Sequence, residues 1–177
     1  MITREIPYFN LEQIAESGQC FRWFKIDKNK YRIIAFGKYI EVSQEGIRIF
    51  FDCSQEDFDN IWYNYFDLGT DYESIVSAVS ENDIFLLKAV REAGGIRILN
   101  QDLWEMIISF IISQNNNIPR IKKSIETICK GVGKKLSDKV YCFPTYEEIL
   151  KADRSIIFLI NKECLITPLI ATITSTP

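Results

Sequence analysis

No histidine occurs among these 177 residues, and no two of the five cysteines, at positions 20, 53, 129, 142 and 164, form a CxxC pair. These absences exclude zinc fingers, HExxH metalloproteases, Ser-His-Asp hydrolases and Cys-His proteases together. The cysteines read as reduced, mostly buried small apolar residues. No metal and no cofactor are expected, and any chemistry falls to lysine, carboxylates, tyrosine or the backbone. Long apolar runs are also missing: Arg97, Asp102, Glu105, Gln114 and Lys162 interrupt the candidates, so no membrane span is expected. No basic start leads into an apolar run with a small-residue cleavage site, so no signal peptide is read and the expected compartment is the cytoplasm. Internal repeats and low-complexity linkers are absent.

What is present is the balance of a soluble globular protein, 47% hydrophobic and 25% charged, long enough for one domain or two small ones sharing a core. The net charge of −3 is unevenly spread. Residues 1–118 carry eleven basic and eighteen acidic side chains. Residues 119–139 reverse the balance, with Arg120, Lys122, Lys123, Lys130, Lys134, Lys135 and Lys139 against Glu126 and Asp138. A basic patch beside an acidic body suits docking to a polyanion through one face. The same charges also fit a merely solvated helix and turn.

From Gln19 to Asp52 the pattern is that of a β-meander. The expected strands are Cys20–Ile26, Tyr31–Phe36, Tyr39–Val42 and Ile47–Phe51, rich in aromatic and β-branched residues and split by turn signals. A helix is expected after Ser54, capped by its hydroxyl, with Phe58, Ile61, Trp62, Tyr65 and Phe66 on the face that covers the sheet. Further helices are expected at Tyr72–Val79, Asp83–Ala93, Gln101–Ser113, Pro119–Cys129 and Tyr146–Ala152. Gly94–Gly95 stops the second, and Gly131 and Gly133 end the fourth. Gln101–Ser113 is apolar nearly all round, which places it in the middle of a core. Pro119 suits a first helical turn, where its missing N–H costs nothing. From Ser155 onward, isoleucines and threonines follow no period of 2.0 or 3.6.

Two motifs carry more information than these patterns. The first is Ser17-Gly18-Gln19-Cys20-Phe21-Arg22-Trp23, just before the sheet. The second runs from Gly95-Ile96-Arg97-Ile98-Leu99-Asn100-Gln101-Asp102 through Trp104-Glu105 to Ser113-Gln114-Asn115-Asn116-Asn117-Ile118-Pro119-Arg120-Ile121. Three adjacent amides past the end of an apolar helix, followed by proline at a helix start, crowd donors and acceptors onto one corner. An enzyme that extrudes a base leaves its partner with an unpaired Watson–Crick edge, which amide and guanidinium groups can satisfy. Local capping of a helix-to-helix turn explains the same triplet without any ligand.

Together the two motifs resemble the 8-oxoguanine DNA glycosylase family of helix-hairpin-helix glycosylases, from about residue 7 to about residue 150. The resemblance implies an α+β fold: a TATA-binding-protein-like antiparallel sheet with covering helices, then the first helices of an all-α glycosylase domain. The implied division is 1–98 for the sheet domain, 99–153 for the start of the all-α domain, and 154–177 for a divergent tail. It also implies base-excision repair, with removal of 8-oxoguanine opposite cytosine and lyase action at the abasic site. The implied partner is double-stranded DNA containing oxidised guanine, with no membrane and no metal, and with association with the nucleoid in a bacterium.

Residue by residue, the family's cytosine-facing asparagine and arginine align with Asn115 and Arg120. Asn116 and Asn117 are left to fill the gap or to brace the turn and the DNA backbone. Gly18 aligns with the residue whose backbone carbonyl accepts from the lesion's N7 proton, which guanine lacks; a glycine required only by a turn is the alternative. Phe21, Trp23 and Tyr31 are expected in the sheet core, and Arg22 is given no role. The family's catalytic lysine follows a Leu-Pro-Gly-Val-Gly hairpin, and an aspartate lies further on. No such hairpin occurs here, and Gly131-Val132-Gly133 lacks the preceding Leu-Pro. The expectation is therefore that these residues contain no catalytic site, leaving a catalytically incomplete chain, a non-catalytic damaged-DNA-binding module or a non-functional gene fragment. The oligomeric state is left open.

Overall fold

The computed structural model describes residues 1–152; the stretch from Asp153, including the divergent tail, lies outside the described residues. The described residues divide into two compact units, Met1–Ile33 with Ile40–Asn100, and Ile34–Tyr39 with residues 101–152.

The first unit is built on alternation. In β4 (Lys38–Glu45) Ile40 and Val42 are buried while their neighbours face out, and in β5 (Arg48–Asp52) Ile49 and Phe51 do the same. With β1 (Ile2–Glu5), β2 (Trp23–Asp27) and β3 (Lys30–Ala35) these strands form an antiparallel sheet in the order β1-β5-β4-β3-β2. On its polar side, Glu41 accepts from both Lys30 and Arg32, and those bonds hold its carboxyl below the usual range. The α+β architecture read from the sequence is present.

The covering helix starts as read. The Ser54 hydroxyl accepts from the Asp57 N–H at 3.0 Å and opens α2 (Gln55–Asp57). A π-helical segment, Phe58–Trp62, follows before α3 (Tyr63–Tyr65), and the Tyr63 N–H reaches back five residues to the Phe58 carbonyl. Phe58, Trp62, Tyr65 and Phe66 are all buried against the sheet, as are Trp23 and Tyr31. The Trp23 indole N–H donates to the Tyr65 hydroxyl at 2.8 Å, so the polar handles of two buried aromatics satisfy each other.

Several sequence expectations need correction. β1 and α1 (Leu11–Glu16) were not read from the sequence; β1 pairs with β5, and Leu11 and Ile14 of α1 join the core. The first meander strand begins at Trp23 rather than Cys20: pairing with β3 starts at Trp23 opposite Ile33, and the chain before it is occupied by the positive-φ turn at Gly18. Two shorter helices, α4 (Tyr72–Ser77) and α5 (Ile84–Ala93), are opened by the carboxylates of Asp71 and Asp83.

In the second unit α6 (Leu103–Ser113) is not enclosed as its composition suggests. Only Ser109 and Ile112 are buried, whereas Leu103 and Phe110 are 64% and 66% exposed. The helix packs on α7 (Ile118–Val132) along one side, and its apolar surface extends round more of the cylinder than α7 covers. Gly131 lies inside α7, and Gly133 alone caps its end. A short hairpin, β6 (Lys135–Ser137) with β7 (Val140–Tyr141), then leads to α8 (Tyr146–Lys151), whose capping box pairs Thr145 with Glu148.

Gly133 is fixed by close approach. A Cβ there would stand 2.0 Å from the Cys142 carbonyl oxygen and 2.7 Å from that of Cys129, both backbone atoms that no side-chain rotation can clear. Gly133→Ala is therefore expected to cost about 1–3 kcal/mol through forced backbone shifts. Urea unfolding measures it, and an unchanged midpoint would contradict the tight crossing of helix end and hairpin.

Candidate nucleic-acid interface

In the second unit the three asparagines have three different jobs. Asn116 turns its amide back to the Ile112 carbonyl at 3.3 Å while its side-chain oxygen accepts from the Asn117 N–H. Asn117 is the N-cap of α7: its side chain accepts from the Arg120 N–H at 3.1 Å, with Pro119 in the first turn. Asn115 differs. Its backbone is left-handed at φ 52°, a conformation asparagine tolerates better than most residues, and its side chain is exposed with no hydrogen bond among the described residues. The local-capping explanation of the triplet thus accounts for Asn116 and Asn117 and leaves Asn115 over.

Arg120 projects from the first turn of α7 and is exposed. Ile121, Ser124, Ile125, Ile128 and Cys129 form the buried face of this helix. Lys123 and Lys130 are exposed, and the next exposed cations are Lys134, Lys135 and Lys139 around the β6–β7 hairpin. Lys135 stands 3.8 Å from Asp138, a solvent-exposed pair of little energetic weight.

In the first unit Gly18 sits at φ 79°, where a side chain would be strained, and an added Cβ would meet open space. Conformation, not crowding, requires glycine at this turn. Its carbonyl accepts no hydrogen bond among the described residues. The opening residues of the second motif, 96–100, run beside it without regular secondary structure and are anchored by Arg97. That side chain is 4% exposed, donates to the carbonyls of Asp67 (2.8 Å) and Pro7 (3.1 Å), and lies 4.3 Å over the Tyr72 ring. Burial pushes its guanidinium below its ordinary value, opposed by Tyr72 and Asp67.

Residues 1–107 match the model of the 8-oxoguanine DNA glycosylase N-terminal domain. The chain belongs to this family. It is 33% identical to the N-glycosylase/DNA lyase of Saccharomyces cerevisiae, over 78% of this chain and 42% of that protein. A solved structure of MBOgg1 with a low-affinity DNA ligand superimposes with a TM-score of 0.82 at 41% identity, covering 90% of this chain and 55% of that one. The Clostridium acetobutylicum 8-oxoguanine glycosylase/lyase, solved with double-stranded DNA carrying cytosine opposite 8-oxoG, gives 0.79 at 40% identity, covering 86% and 54%. The chain thus spans about half the length of the glycosylases it matches.

The sequence reading of this glycosylase-family chain missed Gln19 and Arg97 as organising residues. Both stood in the quoted motifs, yet nothing in their spacing showed that a side-chain amide and a buried guanidinium bind backbone there. Arg22 is buried as well, and so belongs to the fold rather than to an exposed surface.

Proposed function

We propose that this chain supplies the lesion- and cytosine-reading surfaces of an 8-oxoguanine DNA glycosylase/lyase acting on double-stranded DNA. Asn115 carries the reading: it is the one member of the triplet whose side chain makes no bond within the turn, and its left-handed backbone leaves that side chain exposed. The Gly18 carbonyl accepts the N7 proton of the oxidised base. Arg120 donates its planar guanidinium fork to the cytosine left behind, and the Asn115 amide pairs with the same edge. The lysines of 119–139 neutralise phosphates. Asn116 and Asn117 brace the corner.

A second reading, lesion binding without chemistry by these residues, is favoured by one observation. Among the described residues no lysine is buried, whereas a lyase nucleophile needs a desolvated or electrostatically depressed amine.

Titration of a duplex with 8-oxoguanine opposite cytosine, beside an undamaged duplex, tests both readings. These residues should prefer the lesion, with log K falling against log salt at a slope between about −3 and −6 for the cations available. Borohydride should trap no stoichiometric adduct. Absence of lesion preference would contradict the first reading, and an adduct abolished by changing one lysine would contradict the second.

A further inference from the structure

Between the two motifs lies a contact that neither the lesion nor the helix caps explain. The Gln19 side chain uses both ends of its amide on a single backbone strap. Its Oε1 accepts from the Leu99 N–H at 2.9 Å, and its Nε2 donates to the Arg97 carbonyl at 2.9 Å. The amide therefore stands where the peptide group of a neighbouring strand would stand, on a segment with no strand partner of its own. The strap cannot easily yield: Leu99 is buried, and Arg97 is tied to two carbonyls and stacked on Tyr72. Gln19 Nε2 also lies 2.9 Å from the Ser17 hydroxyl, which itself donates to the Ile14 carbonyl at the end of α1. Gly18 is thus the apex of a turn whose two flanking residues are both fastened, one to a helix end and one to the strap.

We propose that Gln19 is a positioning residue for lesion recognition: its bidentate amide holds the Gly18 carbonyl outward at the angle from which it accepts from the oxidised base. The proposal rests on the reading of Gly18 given above. A glycine at positive φ has wide conformational freedom, and an exposed peptide can flip unless its neighbours are fixed. A carbonyl that distinguishes two bases by one proton must be preset, because reordering it on binding would use up the energy that discriminates.

Two variants separate positioning from bulk stability. Gln19→Ala removes both bonds. Gln19→Glu keeps the shape and the acceptor for Leu99 but sets an oxygen against the Arg97 carbonyl. Three duplexes are compared, with 8-oxoguanine, guanine or a stable abasic analogue opposite cytosine; the abasic duplex offers no base to Gly18. Both variants should lose about tenfold on the 8-oxoguanine duplex, the worth of one good hydrogen bond, and stay within about twofold on the abasic duplex. In DNA-free protein, 15N relaxation should show the backbone amide of residue 19, which shares its peptide plane with the Gly18 carbonyl, becoming mobile while exchange protection of Ile33, Ile40 and Phe51 persists. Equal loss on the lesion and abasic duplexes, or a residue-19 backbone amide that stays rigid in both variants, would overturn the proposal. A wild-type chain without lesion preference would overturn the reading of Gly18 instead, and the relaxation data would still decide whether Gln19 holds the turn.

Discussion

Replacing Phe66 with alanine is expected to remove about 3–5 kcal/mol, a large share of the roughly 5–15 kcal/mol that holds a typical domain together. Phe66 is fully buried, and five aromatic rings surround it: Phe9 at 5.8 Å, Trp23 at 5.9 Å, Phe51 at 5.5 Å, Trp62 at 6.3 Å and Tyr65 at 5.0 Å between centroids. The cluster joins β2, β5, the covering helix and the segment before α1, so the cavity left by truncation borders every layer of the sheet unit. None of its rings can turn in to fill the space without leaving its own contacts. Urea unfolding followed by tryptophan fluorescence measures the loss directly, since Trp23 and Trp62 both border the site. A variant within about 1 kcal/mol of wild type would mean that this ring is not the hub of the core.

That hub is legible in the sequence, because Phe58, Trp62 and Phe66 recur at a spacing that puts them on one helical face. The π-helical turn between them was not legible. It arises from the fit of the helix to the sheet, and composition does not encode it. β1 escaped for a related reason: a four-residue edge strand has too few alternations to stand out, and only its pairing with β5 makes it one.

The exposure of α6 has a different cause. Its composition states that it wants burial, and that inference remains sound as chemistry. The sequence does not state which residues supply the cover, and α7 covers one side only. At the candidate interface, the motif singled out the corner as a whole but could not divide its labour. Only geometry shows Asn117 spent on the helix cap, Asn116 on the turn and Asn115 left outward. The Gln19 clamp was invisible for the same reason, since a side-chain amide that imitates a strand partner leaves no periodic trace.

The central claim is that the corner at Asn115 and Arg120 reads the cytosine opposite the lesion, and one substitution tests it most directly. Arg120→Ala leaves the helix start intact, because the Asn117 cap bonds to the backbone N–H of residue 120, which alanine keeps. Urea unfolding of the variant, measured alongside, separates any change in stability from the change in binding. A guanidinium that satisfies an unpaired base edge contributes about 1.5–3 kcal/mol, whereas one that meets only a phosphate contributes equally to every duplex. The measurement is the affinity of wild type and variant for a duplex with 8-oxoguanine opposite cytosine and for the same duplex undamaged. The account predicts a loss of about ten- to a hundredfold on the lesion duplex and only a few-fold on the intact one. Equal losses on the two duplexes would show that Arg120 touches phosphate alone, and would contradict the claim.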